Sequence, residues 1–167
     1  IDSLAYMPAQ DFGNAFSTFI GQNYGAKKTD RIQQGIKSAI KISFLFCLII
    51  SVGVFIFARP LMTIFIDSSE TEIINIGVDY LRIEGSFYFG IGILFLLYGF
   101  YRAINFPSMS VILTIISLGT RVGLAYYLAS IPSIGVIGIW WSIPIGWALA
   151  DIFGIVYYKR KIKQLHF

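Results

Sequence analysis

Five long apolar segments, each bounded by charged or polar residues, dominate this 167-residue sequence. Each is close to or longer than the ~20 residues that an α-helix needs to cross a hydrocarbon layer ~30 Å thick. Most are apolar on every side, whereas a helix of a water-soluble domain keeps one polar face. We therefore predict one unit over residues 1–167, an all-α polytopic membrane protein with five transmembrane helices. The helices are predicted at about residues 3–24, 36–66, 73–103, 107–130 and 134–158.

The composition agrees with a membrane location. Hydrophobic residues make up 56% of the chain and charged residues 13%, and the mean hydropathy is +0.73, well above that of an ordinary soluble domain. The net charge of +4 does not indicate nucleic-acid binding, because the basic residues flank the apolar segments and do not form one basic helix face. The single cysteine, Cys47, is predicted to be a small buried core residue.

The basic residues predict the orientation of the chain. Lys27 and Lys28 follow the first segment and a basic cluster at 159–163 follows the last, whereas the second connection, 67–72, is acidic. Basic loops remain in the cytoplasm, so the N-terminal end is predicted outside and the C-terminus inside a cell membrane, in bacteria the inner membrane. An outside start followed by five spans predicts at least one further helix upstream, and we expect a C-terminal piece of a longer transporter or channel.

The first helix carries a polar stripe. At ~100° per residue its polar side chains fall on one side and phenylalanines on the other, and such a stripe faces a water-filled path or a neighbouring helix. The alternative to a solute path is hydrogen bonding across a helix interface. The candidate pathway residues of this helix are Asp11, Asn14, Thr18, Gln22 and Asn23.

Few other charges are predicted to lie inside the hydrocarbon layer itself. They are Arg121 and Asp151, and Glu84 lies at the boundary of the apolar part of the third segment; these three complete the set of candidate pathway residues. A charge in the hydrocarbon is costly unless it is paired or reaches water. By depth we predict an Arg121–Asp11 pair, with Asp151 as the second choice of partner; in the alternative, Arg121 extends outward to water.

Small residues recur at fixed spacing in two of the segments. The third contains Gly85, Gly92 and Gly99, seven residues apart, and such spacings allow close helix packing. In the last segment a small residue occupies every fourth position: Gly138, Ser142, Gly146, Ala150 and Gly154.

The motifs of common enzyme sites are absent from the sequence. The one histidine is His166 in the tail, and no Gly-x-x-x-x-Gly-Lys phosphate loop occurs. We therefore predict that the chain is not an enzyme and that it uses no cofactor and no bound metal. The expected partners are small solutes, a coupling ion and the lipid bilayer.

Three motifs in register resemble one transporter family. Gly21-Gln-Asn-Tyr-Gly-Ala26 is similar to the motif that closes the second helix of each half in the multidrug and toxic compound extrusion (MATE) transporters. Gly99-Phe-Tyr-Arg102-Ala-Ile-Asn-Phe-Pro107 resembles the loop after their tenth helix, and Thr120-Arg121-Val-Gly-Leu-Ala-Tyr126 their eleventh. The resemblance implies helices 8–12 of a twelve-helix, two-lobe antiporter, whose N-terminal lobe would be a partner. It also implies export of organic, often cationic, compounds in exchange for H⁺ or Na⁺.

The resemblance leaves the coupling ion undecided. One sodium-coupled branch has an Asp about three turns before the loop arginine, and that position falls near Ile91 here. The alternative function is that of a lipid- or polysaccharide-flippase-like transporter of the same wider superfamily. Such a transporter is expected to line its cleft with several cationic residues, whereas Arg121 is the one candidate in this sequence.

Overall fold

The computed structural model describes residues 1–162 and contains six α-helices and a final π-helical turn. Within this range there is no strand, and the predicted all-α fold is confirmed. Part of the basic cluster at 159–163, together with His166, lies outside the described residues. The helices are α1 Asp2–Gly25, α2 Thr29–Thr63, α3 Thr71–Gly85, α4 Tyr88–Ala103, α5 Pro107–Ala129 and α6 Val136–Tyr157, and the π-helical turn is Tyr158–Ile162.

The structure divides the helix predicted at 73–103 into α3 and α4, which meet at a bend of 49°. The break falls at Gly85 and Ser86, and Gly/Ser pairs are a recognised cause of sharp helix kinks. The hydroxyl of Ser86 donates a hydrogen bond of 2.5 Å to the carbonyl oxygen of Arg82, which competes with the backbone bonds of the helix. The prediction of one continuous helix is therefore wrong at this point.

The predicted count of five spans is not exact. In the part of the chain that the structure describes, α2, α5 and α6 are long and apolar enough to cross a membrane, and the bent pair α3–α4 would be a fourth span. Helix α1 has 24 residues but does not reach the same hydropathy. Its polar stripe accounts for this, because polar side chains on one side lower the mean hydropathy of the whole helix.

Helix α4 lies at the centre of the bundle, against α1, α2, α5 and α6. It runs beside α1 in the same direction: Tyr88 contacts Asp2 at one end, and Gly99 lies on the backbone of Gly13 further along. Its buried side chains, including Leu94, form the core. Residues of α1 and α4 that contact each other therefore lie at the same level along the length of the bundle.

The two series of small residues lie at helix contacts, as predicted. All five small residues of the α6 series are buried, and a Cβ atom added to Gly146 would lie 2.6 Å from the carbonyl oxygen of Ser117 on α5. On α4, a Cβ atom added to Gly92 would lie 2.6 Å from the sulfur of Cys47, which is itself buried. These helices therefore approach more closely than larger side chains would permit.

The outer surface of the bundle is apolar, as a lipid-facing surface should be. Ile56 of α2 is 62% exposed and Ile115 of α5 is 65% exposed. Helix α2 is kinked at Phe57, where φ is −95° and ψ is 15°. Pro60 follows three residues later, and its lack of an N–H group explains the local distortion.

Candidate functional site

A cavity of about 370 Å³ lies between α1, α4 and α5. Asn14 of the polar stripe and Gln10, one turn before it, line the cavity from α1. Its remaining wall comes from α4 and α5 and combines aromatic, basic and hydroxyl side chains: Phe95, Tyr98, Arg102, Ser110, Val111 and Thr114. A concave site with apolar walls and a few convergent polar groups is typical of small-molecule binding.

Arg102 fixes the α1 side of this cavity. Its Nη2 atom donates a hydrogen bond of 2.9 Å to the side-chain oxygen of Asn14, and its Nε atom donates one of 3.3 Å to the carbonyl oxygen of Tyr98. Because Asn14 lies on α1 and Tyr98 on α4, the guanidinium links the two helices along the wall of the cavity. Of the predicted pathway residues, Asn14 is the one that the structure places directly in this cavity.

Hydroxyl groups fix the α5 side. The Thr114 hydroxyl donates a hydrogen bond of 2.9 Å to the carbonyl oxygen of Ser110 and lies 3.3 Å from the Tyr98 hydroxyl. The Ser110 hydroxyl lies 3.3 Å from the carbonyl oxygen of Tyr98. The Tyr98 ring is also 6.4 Å, centroid to centroid, from that of Phe95. In the wall of the cavity, these two aromatic rings lie between the Arg102–Asn14 side and the Ser110–Thr114 side.

A second group of polar side chains lies at the other end of α1 and α4. Tyr88 donates a hydrogen bond to the carboxylate of Asp2, and Tyr80 interacts electrostatically with both Asp2 and Glu84. Arg121 of α5 is close enough to Glu84 to interact with it electrostatically. We call Asp2, Tyr80, Glu84, Tyr88 and Arg121 the Glu84 cluster.

The carboxyl group of Glu84 is buried and incompletely paired. The residue is 4% exposed, and its Oε2 atom has no hydrogen-bond partner among the described residues. A buried oxygen without a partner is uncommon, because it loses its hydration without compensation. Ionisable groups of this kind within a membrane bundle commonly take part in ion or substrate movement.

Asp151 is buried separately, between α6 and α4. It is 7% exposed, and its Oδ1 atom has no hydrogen-bond partner in residues 1–162. Its Oδ2 atom lies 3.9 Å from the position that a Cβ atom of Gly90 would occupy. It interacts electrostatically with Tyr98 of the cavity and is not paired with Arg121, in contrast to the second choice of partner above.

The preferred Arg121–Asp11 pair is also not formed. Asp11 is exposed, whereas the aliphatic part of Arg121 packs at Gly146 and its charge lies near Glu84. Depth along the membrane normal suggested that pair, but Asp11 is exposed on α1 and Arg121 packs against α6.

The remaining residues of the polar stripe differ in their burial. Thr18 and Gln22 are exposed, and the Thr18 hydroxyl donates a weak hydrogen bond of 3.4 Å to the carbonyl oxygen of Asn14. Asn23 is buried, and its side-chain nitrogen donates a hydrogen bond of 2.8 Å to the carbonyl oxygen of Phe19. Asn23 is therefore packed inside the bundle and does not line the cavity.

Sequence reasoning missed several residues of both sites. Glu84 was predicted, but Tyr80 and Tyr88, four residues before and after it, were not. Their spacing of four, which would place all three on one side of a helix, was a signal available in the sequence. The contributions of Tyr98 and Thr114 had no comparable signal, because they depend on which helices are neighbours.

Comparison with known proteins gives consistent results. The model of the MatE family matches residues 1–127. The chain is 28% identical over 141 residues to "Probable multidrug resistance protein NorM" of Thermotoga maritima, covering 84% of this chain and 30% of that protein. It is 33% identical over 162 residues to "Multidrug export protein MepA" of Staphylococcus haemolyticus, covering 93% of this chain and 35% of that protein. The chain thus spans about a third of the length of the curated relatives it matches.

Solved structures match over nearly the whole chain. A structure described as the outward-facing conformation of a multidrug resistance MATE family transporter has a TM-score of 0.91 at 26% identity, covering 98% of this chain and 37% of that one. A structure described as the inward-facing conformation of a transporter of this family has a TM-score of 0.88 at 25% identity, covering 97% of this chain and 37% of that one.

Proposed function

Because this chain belongs to the MATE family of multidrug efflux transporters, we propose that it forms part of a secondary antiporter. The antiporter exports small organic compounds, cationic ones in particular, in exchange for H⁺ or Na⁺. The cavity between α1, α4 and α5 contributes to the substrate path, and the Glu84 cluster binds the coupling ion. The observation that carries this proposal is the burial of Glu84 with one carboxylate oxygen unpaired.

The cavity suits an organic substrate in its chemistry. Phe95 and Tyr98 offer aromatic faces, and such faces attract both flat apolar groups and organic cations. Gln10 is exposed at the cavity and provides both hydrogen-bond donors and an acceptor. Arg102 keeps its positive charge in its hydrogen bond to the neutral Asn14, so the aromatic faces are the part of the wall that attracts a cation.

The Glu84 cluster suits a coupling ion. Asp2 and Glu84 supply carboxylate oxygens, and the hydroxyls of Tyr80 and Tyr88 lie beside them. Glu84 lies on α3 and Arg121 on α5, so a displacement of one helix relative to the other changes their electrostatic interaction. That change alters the affinity of the cluster for a cation and provides a link between ion binding and helix movement.

In the whole transporter, we propose, an N-terminal lobe faces the cavity, and this unit moves against it as a rigid body. The near-equal match to structures described as inward-facing and as outward-facing supports this arrangement, because the same fold fits both. The substrate path would then alternate its exposure between the two sides of the membrane. We place the protein in a cell membrane, in bacteria the inner membrane, with the basic loops and the C-terminus in the cytoplasm.

The experiment uses the full-length transporter in proteoliposomes and the fluorescent cation ethidium as substrate. Export is driven by a pH gradient or by a Na⁺ gradient in separate measurements, and the effective gradient identifies the ion. Glu84→Gln keeps the shape of the side chain but removes its charge, so we expect it to lose most gradient-driven export while ethidium still binds. The matched control is Asp79→Asn, one exposed acid on the same helix, which should export normally. Normal coupled export by a folded Glu84→Gln variant would refute the assignment.

A further inference from the structure

A second, apolar cavity lies on the opposite side of α4 from the substrate path. It has a volume of about 240 Å³ and runs between the first half of α2 and the end of α6. Ile36 and Ile40 of α2 form one wall, and Ile155 with Tyr158 forms the other. The floor is α4, which separates α2 from α6 here and contributes Phe100. We call this cavity the lateral groove.

The lateral groove opens onto exposed apolar surface. Phe44, one turn beyond Ile40 on α2, is 44% exposed, and Ile152, one turn before Ile155 on α6, is 59% exposed. Apolar surface therefore continues from both walls of the groove onto the outside of the bundle. A hydrocarbon chain lying against this surface could enter the groove without crossing a polar barrier.

One end of the groove is basic. Lys159 lines it directly, and the exposed Lys37 and Lys41 each follow a wall residue of α2, so they lie ~100° further round that helix, on its lipid-facing flank. Among residues 1–162, no acidic residue lines the groove. This end also lies beside the basic first loop, so the positive-inside rule places it in the cytoplasmic leaflet.

We propose that the lateral groove binds an anionic glycerophospholipid of the cytoplasmic leaflet. One acyl chain occupies the space between Ile40 and Ile155, and the phosphate lies between Lys37 and Lys159. The apolar groove alone would accept any lipid tail, and the lysines alone would accept any anion. Their combination at headgroup depth selects a lipid that has both features, since basic pockets between transmembrane helices on the cytoplasmic side recognise anionic headgroups.

The test measures lipid binding by the delipidated full-length transporter with native mass spectrometry. The probes are dioleoyl phosphatidylglycerol and dioleoyl phosphatidylcholine, which share their acyl chains and differ in headgroup charge. The wild type should bind phosphatidylglycerol more tightly. The double variant Lys37→Gln/Lys159→Gln should lose about fivefold in affinity for each lysine removed, as expected for ~1 kcal/mol per basic residue near the surface, with little change for phosphatidylcholine.

Two further variants separate the groove from general basic charge. Lys27→Gln/Lys28→Gln removes the same charge from the first loop, whose lysines do not line the groove, and should retain the preference for phosphatidylglycerol. Ile155→Trp fills the groove without changing the charge and should weaken both lipids. Equal binding of the two lipids by the wild type, or equal losses in the two double-lysine variants, would overturn the proposal. A dimer that dissociates in the Ile155→Trp variant would also overturn it, because a second copy would then occupy the groove.

Discussion

Gly13 and Gly99 bring the backbones of α1 and α4 into contact: a Cβ atom added to Gly99 would lie 2.5 Å from the carbonyl oxygen of Gly13. In the reverse direction, a Cβ atom added to Gly13 would lie 2.9 Å from the carbonyl oxygen of Phe95. Neither side can accept a methyl group without moving a helix backbone. This contact sets the distance between α1 and α4 and so allows Arg102 to reach Asn14 across the wall of the cavity.

Gly99→Ala should therefore destabilise the protein. The added methyl group forces α1 and α4 apart, and overpacking of this kind costs about 1–3 kcal/mol, which thermal unfolding of the purified protein in detergent would detect as a lower midpoint. The control is Gly123→Ala on α5, where nothing lies within 4 Å of the added atom; its midpoint should stay the same or rise, since alanine favours the helix. Equal midpoints for the two variants would contradict the close contact.

The hydrogen bond between Arg102 and Asn14 should be measurable as a coupling energy. Arg102→Ala, Asn14→Ala and the double variant form a double-mutant cycle, from which we expect a coupling of about 1 kcal/mol in unfolding free energy. The bond lies at an exposed position, which keeps this value small. A parallel cycle with Gln22→Ala, an exposed residue of the same helix, should show additivity. Additivity in both cycles would mean that the observed bond does not contribute to stability.

The sequence predicted single helices of this protein better than the way in which they bend and pack together. The apolar lengths of α2, α5 and α6 identify them as spans, and the spacing of Gly138 and Gly146 identifies the packed side of α6. The break at Gly85 and Ser86 escaped notice because the apolar pattern continues across it and the local cause is a hydrogen bond of the Ser86 hydroxyl.

The candidate site shows the same limit. Asn14 was recognisable from the polar stripe, but its partner Arg102 is 88 residues away, and a single sequence does not reveal that α1 and α4 are parallel neighbours. Depth in the membrane selected Asp11 as the partner of Arg121, whereas the structure gives Arg121 an electrostatic interaction with Glu84. Depth gives only the position of a residue along the membrane normal. An ion pair also requires that the two side chains point toward each other from neighbouring helices.

The orientation predicted from the basic loops can be tested by labelling. In a Cys47→Ala background, single cysteines replace Lys28 before α2 or Glu70 before α3; both positions are exposed. With an impermeant thiol reagent on whole cells, the cysteine at position 70 should react and the cysteine at position 28 should react only after permeabilisation, because basic loops stay in the cytoplasm. Labelling of position 28 alone in intact cells would reverse the orientation, and equal labelling of both would contradict the assignment of α2 as a span.

The buried, unpaired carboxyl group of Asp151 should lower the stability of the protein. Its Oδ1 atom is buried without a hydrogen-bond partner in the described part of the chain, and an unpaired buried polar group costs about 1–3 kcal/mol. Asp151→Leu, which removes the carboxyl group at similar volume, should therefore raise the unfolding midpoint in detergent.

Ser142 on the same helix provides the contrast to Asp151. It is also buried, but its hydroxyl donates a hydrogen bond of 2.6 Å to the carbonyl oxygen of Ile139. Ser142→Ala removes a satisfied group, so its unfolding midpoint should stay the same or fall. If Asp151→Leu proves less stable than the wild type and Ser142→Ala does not, Asp151 must have a partner in the whole transporter, and the carboxyl group then contributes to holding α6 in place. If Asp151→Leu is more stable and also fails to export ethidium in proteoliposomes, the unpaired carboxyl group is retained for transport at the expense of stability.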